Sequence, residues 1–187
     1  MPWKRFPVTR LFVALEMPGP LRAALAGLQS SLPGARWVQA EGMHLTLAFI
    51  GEVDDARRQA VESALKSVAG APFSLCLGGL ARYPRRGPPR VLWSGAAPER
   101  EIAALADAIR AALEGVGLAL ERRPFRAHVT LARFRRPPPR ADLERYLDRH
   151  SAFATPPADI DSFHLYSSHL QSTGARYRKE ATFPLGS

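Results

Sequence analysis

"HLTLAFIGEV" runs from His44 to Val53, and "HVTLARFRRP" runs from His128 to Pro137. The pattern His, apolar, Thr, Leu, Ala is thus written twice, 84 residues apart. Both stretches read as strands, in which alternate side chains point to the same side. His44 and Thr46 then share one face, about 6.6–6.8 Å apart along the strand. Leu45, Leu47 and Phe49 take the other face, where they pack beneath helices. In the second copy His128 and Thr130 share a face, with Val129 and Leu131 behind them. An imidazole beside a hydroxyl places a proton-transfer group next to a hydrogen-bonding one.

Outward from the two motifs, the chain alternates strands and helices. "RLFVALEMP" (10–18) predicts a buried strand, and "PLRAALAGLQSSL" (20–32) has helical apolar spacing with a proline near its first turn. "ARWVQ" (35–39) is a short strand. Residues 54–70 open with acids, carry apolar residues at helical spacing and end at Gly70, which predicts a helix. Strands at 73–83 and 90–96 flank the loop "PRRGPP", and 98–117 is a second amphipathic helix. A strand over 125–134, a short helix within 137–150 and a closing hairpin over 159–170 and 175–185 complete the order. No linker or low-complexity spacer interrupts it. This order predicts one α+β unit over residues 1–187, with one motif in each of two related halves.

The chain has 187 residues, enough for one sizeable core. No apolar run approaches the roughly 20 residues of a membrane helix, and the N-terminal apolar stretch "LFVAL" is too short for a signal peptide. Cys76 is the single cysteine, so no internal disulfide forms. A cytoplasmic monomer with Cys76 in the core is the expectation. Twenty-six basic residues face 17 acidic ones, a net charge of +9, and 23 of the basic residues are arginine. Guanidinium forks match phosphate oxygens, so the surplus fits a polyanionic partner, nucleic acid first; an arginine-rich genome or a general solubility device accounts for composition alone equally well.

Two His-x-Thr pairs across a cleft suit displacement at phosphorus. The nucleophile arrives opposite the leaving oxygen, so one group takes a proton on one side while another gives one on the other. Histidine, with an ordinary pKa of about 6.5, serves in both roles near neutral pH, and the threonine hydroxyls hold non-bridging oxygens. No metal or other cofactor is required. The rival metal-site reading is weak, because threonine is a poor zinc or iron ligand and no acid or histidine stands at ligand spacing beside either motif. His150, His164 and His169 are solitary, and His150 follows a helix whose C-terminal dipole it can meet.

These motifs, with "RLFVALEMP", "PRVLWSG" (89–95), "RPFRAHVTLARF" (123–134) and "FHLYSSHL" (163–170), resemble the bacterial and archaeal RNA 2′,3′-cyclic phosphodiesterases of the two-histidine phosphoesterase superfamily, also called 2′-5′ RNA ligases. The resemblance covers nearly the whole chain in order. It implies two pseudo-symmetric lobes, each an antiparallel sheet with helices outside, around a basic cleft. It implies opening of a 2′,3′-cyclic phosphate on an RNA end, transfer-RNA fragments among the candidates, to leave a 2′-phosphate. Reversible 2′-5′ joining is its companion reaction. His128 would be the proton acceptor, His44 the proton donor, and Thr46 and Thr130 the phosphate ligands. From the residues alone the opposite acid and base assignment stays open. Arg133 matches a phosphate-holding arginine of the family, with a plain surface charge as the other reading; five residues from His128 is the wrong parity for a regular strand, which a bulge, a strand end or the reach of a long side chain would resolve. Phe12 matches a family aromatic that could touch the terminal base, with core packing as the equal alternative. Ala127 departs from the family's usual proline.

The arginines cluster at 82, 85, 86 and 90, at 122, 123 and 126, and at 135, 136 and 140, and are expected to contact the RNA backbone, with a solvated basic surface as the other reading. Two other readings use the same residues: a small cyclic nucleotide or ADP-ribose cyclic phosphate as substrate, and an RNA-binding protein without turnover.

Overall fold

The structure, a computed structural model, describes residues 9–121, 124–171 and 174–186. Arg122 and Arg123 lie outside the described residues, as do residues 172–173, where the closing hairpin's turn is expected. The elements run β1 (Thr9–Glu16), α1 (Gly19–Gly27), β2 (Ala35–Trp37), a 3₁₀ turn (Ala40–Gly42), β3 (His44–Val53), α2 (Asp55–Lys66), β4 (Phe73–Tyr83), β5 (Val91–Ala97), α3 (Glu99–Gly115), β6 (His128–Phe134), α4 (Arg140–Arg149), β7 (Ala158–Ile160), β8 (Ser162–Gln171) and β9 (Gly174–Pro184).

Local chemistry accounts for the helices. Asp54 caps α2 by accepting from the Arg57 amide, with Asp55 in the first turn and Lys66 in the last. In α3 the buried residues are Ile102, Leu105, Ala106, Ile109 and Leu113, a stripe at three- and four-residue spacing. Helix α3 lies against β3 and β5, and α2 packs on α3. Leu11, Val13 and Leu15 of β1, Leu45 and Leu47 of β3, and Val129 and Leu131 of β6 supply the sheet side of the core.

All strand pairings are antiparallel, in the order β7-β4-β5-β6-β3-β1-β8-β9, with β2 also paired to β6. The two expected lobes are the four strands on either side of the β3–β6 seam, where the aligned pair is Leu45 with Val129. The halves exchange strands: β4, which comes after α2, pairs with β5 in the second half, and β8, which comes after α4, pairs with β1 in the first. Among the described residues no helix is long and apolar enough to cross a membrane.

Three expected boundaries move. Helix α1 ends at Gly27, and Leu28 and Leu32 are buried from the turns after it, so the apolar spacing outlasts the helix. Residues 125–127 precede β6 instead of belonging to it. The expected strand over 159–170 breaks at Asp161, because Ala158–Ile160 pairs with β4 while Ser162 onward pairs with β9. Cys76 is half-buried on β4, not enclosed in the core.

The short strand β2 is tied down at both ends. The Ala35 amide donates to Leu32 O at 3.1 Å and the Val38 amide to Leu131 O at 2.8 Å. Before it, Gly34 has φ of 75°, and a Cβ there would stand 2.5 Å from Arg136 O. Gly34→Ala is therefore expected to cost about 1–3 kcal/mol in urea denaturation. Gly27→Ala, whose methyl would meet nothing within 4 Å, is expected to be neutral or better.

Candidate active site

The seam assembles the site. Leu45 and Val129 face each other from adjacent antiparallel strands, both fully buried on the helix side. The residues on either side of them must therefore point to the opposite face. Continued by one residue each way, this register sets His44 across from Thr130 and Thr46 across from His128. The two motifs thus form one four-residue patch with local two-fold symmetry.

Both motifs then break the alternation in the same way. Against β1, Val13 pairs with Ala48 and Ala14 with Thr46, so Leu47 is the extra residue of a bulge. Against β5, Leu92 pairs with Ala132 and Trp93 with Thr130, so Leu131 is the extra residue. Leu47 and Ala48, and likewise Leu131 and Ala132, are consecutive buried residues. The bulge returns the next residue to the His-Thr face, which resolves the parity of Arg133. It also overturns the expectation for Phe49: this residue is 63% exposed and does not pack beneath helices.

Each histidine is oriented by the backbone two residues before it. His44 Nδ1 donates to Gly42 O and His128 Nδ1 to Arg126 O, both at 2.8 Å. A carbonyl only accepts, so Nδ1 carries the proton and Nε2 is left to exchange one. Burial pushes His44 down from 6.5 to about 4; its bond to Gly42 O opposes this, and the nearby Arg133 charge and the His128 ring add to it. His44 is therefore neutral at pH 7 while the cleft holds no anion. The same charge effects bring Arg133 and His128 into one electrostatic neighbourhood with His44.

Aromatic rings line the His44 side. Phe12 stands 4.8 Å from the His44 ring, stacks on Tyr166 at 5.3 Å and meets Tyr177 edge-on at 5.2 Å. It is only 3% exposed, so it has almost no open face to offer a base, contrary to the role expected for it. Its contact is with His44 itself. The exposed ring is Phe49, 6.2 Å from Phe12 and equivalent in its strand to Arg133. A hollow of about 190 Å³ beside His44 is lined by Glu16, Met43, Tyr166 and Lys179 among others. A second, of about 260 Å³, adjoins the His128 strand between Gly78, Trp93, Gly95 and Arg126. Trp93 meets the His128 ring edge-on at 5.7 Å.

The remaining expectations divide. Arg82 donates to Pro84 O and Gly87 O, and Arg140 to Glu144, so both have partners within the protein. Arg85, Arg86, Arg90, Arg126, Arg135 and Arg136 are exposed. His150 caps the C-terminus of α4, with its ring 4.6 Å from that of Tyr146. His164 is buried against Thr182, and His169 bonds to Ser167. Sequence patterning raised a bulge only for the second motif, as one way to turn Arg133; it missed the matching bulge in the first motif and with it the exposure of Phe49. The repeated Leu-Ala doublet was their visible signal.

Residues 17–171 match the model of the 2′-5′ RNA ligase superfamily. The chain is 31% identical over 178 residues to the RNA 2′,3′-cyclic phosphodiesterase of Archaeoglobus fulgidus, covering 93% of this chain and 99% of that one. It is similar to the crystal structure of TT0787 of Thermus thermophilus, with a TM-score of 0.80 and 28% identity over 94% of this chain and 97% of the other. It is also similar to Escherichia coli LigT complexed with 3′-AMP, with a TM-score of 0.75 and 27% identity over 97% of this chain and 100% of that one.

The low proton affinity of His44 has a consequence for stability. The folded chain binds this proton less tightly than the unfolded chain, so acid favours unfolding. Stability due to His44 is expected to be complete above pH 6.5 and to fall toward pH 4, by at most on the order of 3 kcal/mol. His164, also lowered by burial, adds in the same direction. Urea denaturation of His44→Asn across this range should show a shallower loss than the wild type; equal slopes would place the acid sensitivity elsewhere.

Proposed function

We propose that this chain, which belongs to the 2′-5′ RNA ligase superfamily, hydrolyses the 2′,3′-cyclic phosphate at an RNA end to a 2′-phosphate. The observation that carries this reading is the four-residue patch. Two histidines and two threonines alternate across one strand pair, each histidine held through Nδ1 with its Nε2 available. The names of the similar proteins, and the nucleotide in one of them, support the substrate class.

The cyclic phosphate sits over the patch, with its non-bridging oxygens on the Thr46 and Thr130 hydroxyls and on the Arg133 guanidinium. His128 Nε2 takes a proton from water as the water oxygen bonds to phosphorus. The phosphorus–O3′ bond breaks on the far side, and His44 Nε2 delivers a proton to O3′. The products are a 2′-phosphate and a free 3′-hydroxyl. A neutral His44 is a poor donor, but the substrate corrects this. A phosphate anion on Arg133 cancels one of the charges that depress His44 and adds an attraction of its own. His44 thus acquires its proton together with the substrate. Phe49 offers an exposed ring on the same face, on which the terminal base can stack. With an RNA 5′-hydroxyl in place of water, the same steps form a 2′-5′ linkage. The +9 charge favours a polymer over a small cyclic nucleotide or an ADP-ribose cyclic phosphate.

An RNA oligomer with a 2′,3′-cyclic phosphate end, incubated in excess EDTA, is expected to become a 2′-phosphate RNA. His44→Ala and His128→Ala should each slow this by about 10²–10⁴-fold. A substrate with sulfur at the bridging 3′ position has a leaving group that needs no proton. It should restore much of the rate to His44→Ala and none to His128→Ala. Rescue of His128→Ala instead would reverse the two roles, and no conversion by folded protein would sink the reading.

A further inference from the structure

Beside Arg133 stands a second cation that the hydrolysis does not use. Arg36, the middle residue of β2, is the register partner of Arg133 on β6. Residues directly opposite in an antiparallel pair share a face, so Arg36 lies on the His-Thr side of the sheet with its Cβ ~5 Å from that of Arg133. Both are exposed. Like charges directly opposite each other destabilise a strand pair, and no acid among the described residues forms an ion pair with either. The arginine ion pairs among those residues engage Arg22, Arg58, Arg110, Arg140, Arg145 and Arg178.

The position is also held firmly. Besides the two backbone bonds that flank it, β2 is fixed by Trp37 Nε1 donating to Ser30 O at 2.9 Å and by Gln29 Nε2 donating to Val38 O at 2.9 Å. A rigid support that presents two uncompensated guanidiniums side by side calls for two anionic groups. The cyclic phosphate, a diester, carries one negative charge, and Arg133 meets it.

We infer that Arg36 binds the internucleotide phosphate immediately 5′ of the terminal nucleotide, and so makes the site select a polymer over a mononucleotide. This rests on the cyclic-phosphate reading above. Arg133 anchors the reacting phosphate near His44, and Arg36, one strand over on the same face, takes the next charge of the backbone. A guanidinium suits it, since it grips two phosphate oxygens at once and stays charged at any working pH.

The test compares two RNA oligomers with cyclic phosphate ends. One has ordinary linkages, and the other has a neutral methylphosphonate at the linkage preceding the terminal nucleotide. In the wild type the neutral linkage is expected to lower kcat/KM by about tenfold. Arg36→Ala should lower kcat/KM on the ordinary RNA by a similar factor and be indifferent to the neutral linkage, the non-additivity expected of direct partners. Arg36→Lys should recover part of the loss. The salt dependence of binding should flatten by about 0.7 in log–log slope for the one phosphate contact removed. Equal loss on both RNAs, or no loss on either, would overturn the inference while leaving the hydrolysis intact. If the wild type turns over neither RNA, the hydrolysis reading itself has failed.

Discussion

The contact between Leu45 and Val129 is the constraint on which the site depends. Both side chains are driven to the helix side by burial, and the antiparallel register then leaves no choice for their neighbours. His44 and Thr46 must meet Thr130 and His128 on the open face. A slip of one residue on either strand would bury a histidine and expose a leucine. The hydrophobic core therefore sets the geometry of the polar patch without touching it. Because β4 and β8 cross between the halves, the seam is also held from both flanks.

The identical bulges decide which side chain each strand presents beyond its threonine. Two consecutive apolar residues enter the core there, and the chain re-emerges one step out of phase. The residue that re-emerges differs between the halves: Phe49 in one, Arg133 in the other. An aromatic ring and a guanidinium thus occupy equivalent places around a symmetric quartet. On the proposed reading the symmetry supplies paired proton-transfer groups and its breaking a direction, with a cation beside His44 and an open ring face elsewhere on the same surface.

Electrostatics couple the parts. Burial, with the Arg133 charge adding to it, holds the proton affinity of His44 low, and on the proposed reading an anion seated on Arg133 offsets that charge. In that reading the proton and the phosphate favour each other's arrival. The pair Arg36 and Arg133 has the same logic in the inferred role, since the mutual repulsion of two facing guanidiniums is relieved by a polyanion lying across both.

Much of this was legible in the sequence. The repeated His-x-Thr, the α+β order and the arginine surplus need only side-chain chemistry and the two-residue period of a strand, both of which are local. The alternation of Leu45 and Val129 with the polar residues already assigned the faces. What the sequence could not determine is which strands become neighbours. The bulges that expose Phe49 and turn Arg133 toward the quartet exist only against partner strands, so strict alternation placed Phe49 on the wrong face. Phe12 looked available for a ligand until Tyr166 and Tyr177, more than 150 residues away in the chain, closed over it. Arg36 drew no attention as one arginine among 23. Its position opposite Arg133 is a matter of long-range pairing, which is set by the packing of the whole core and not by any local pattern.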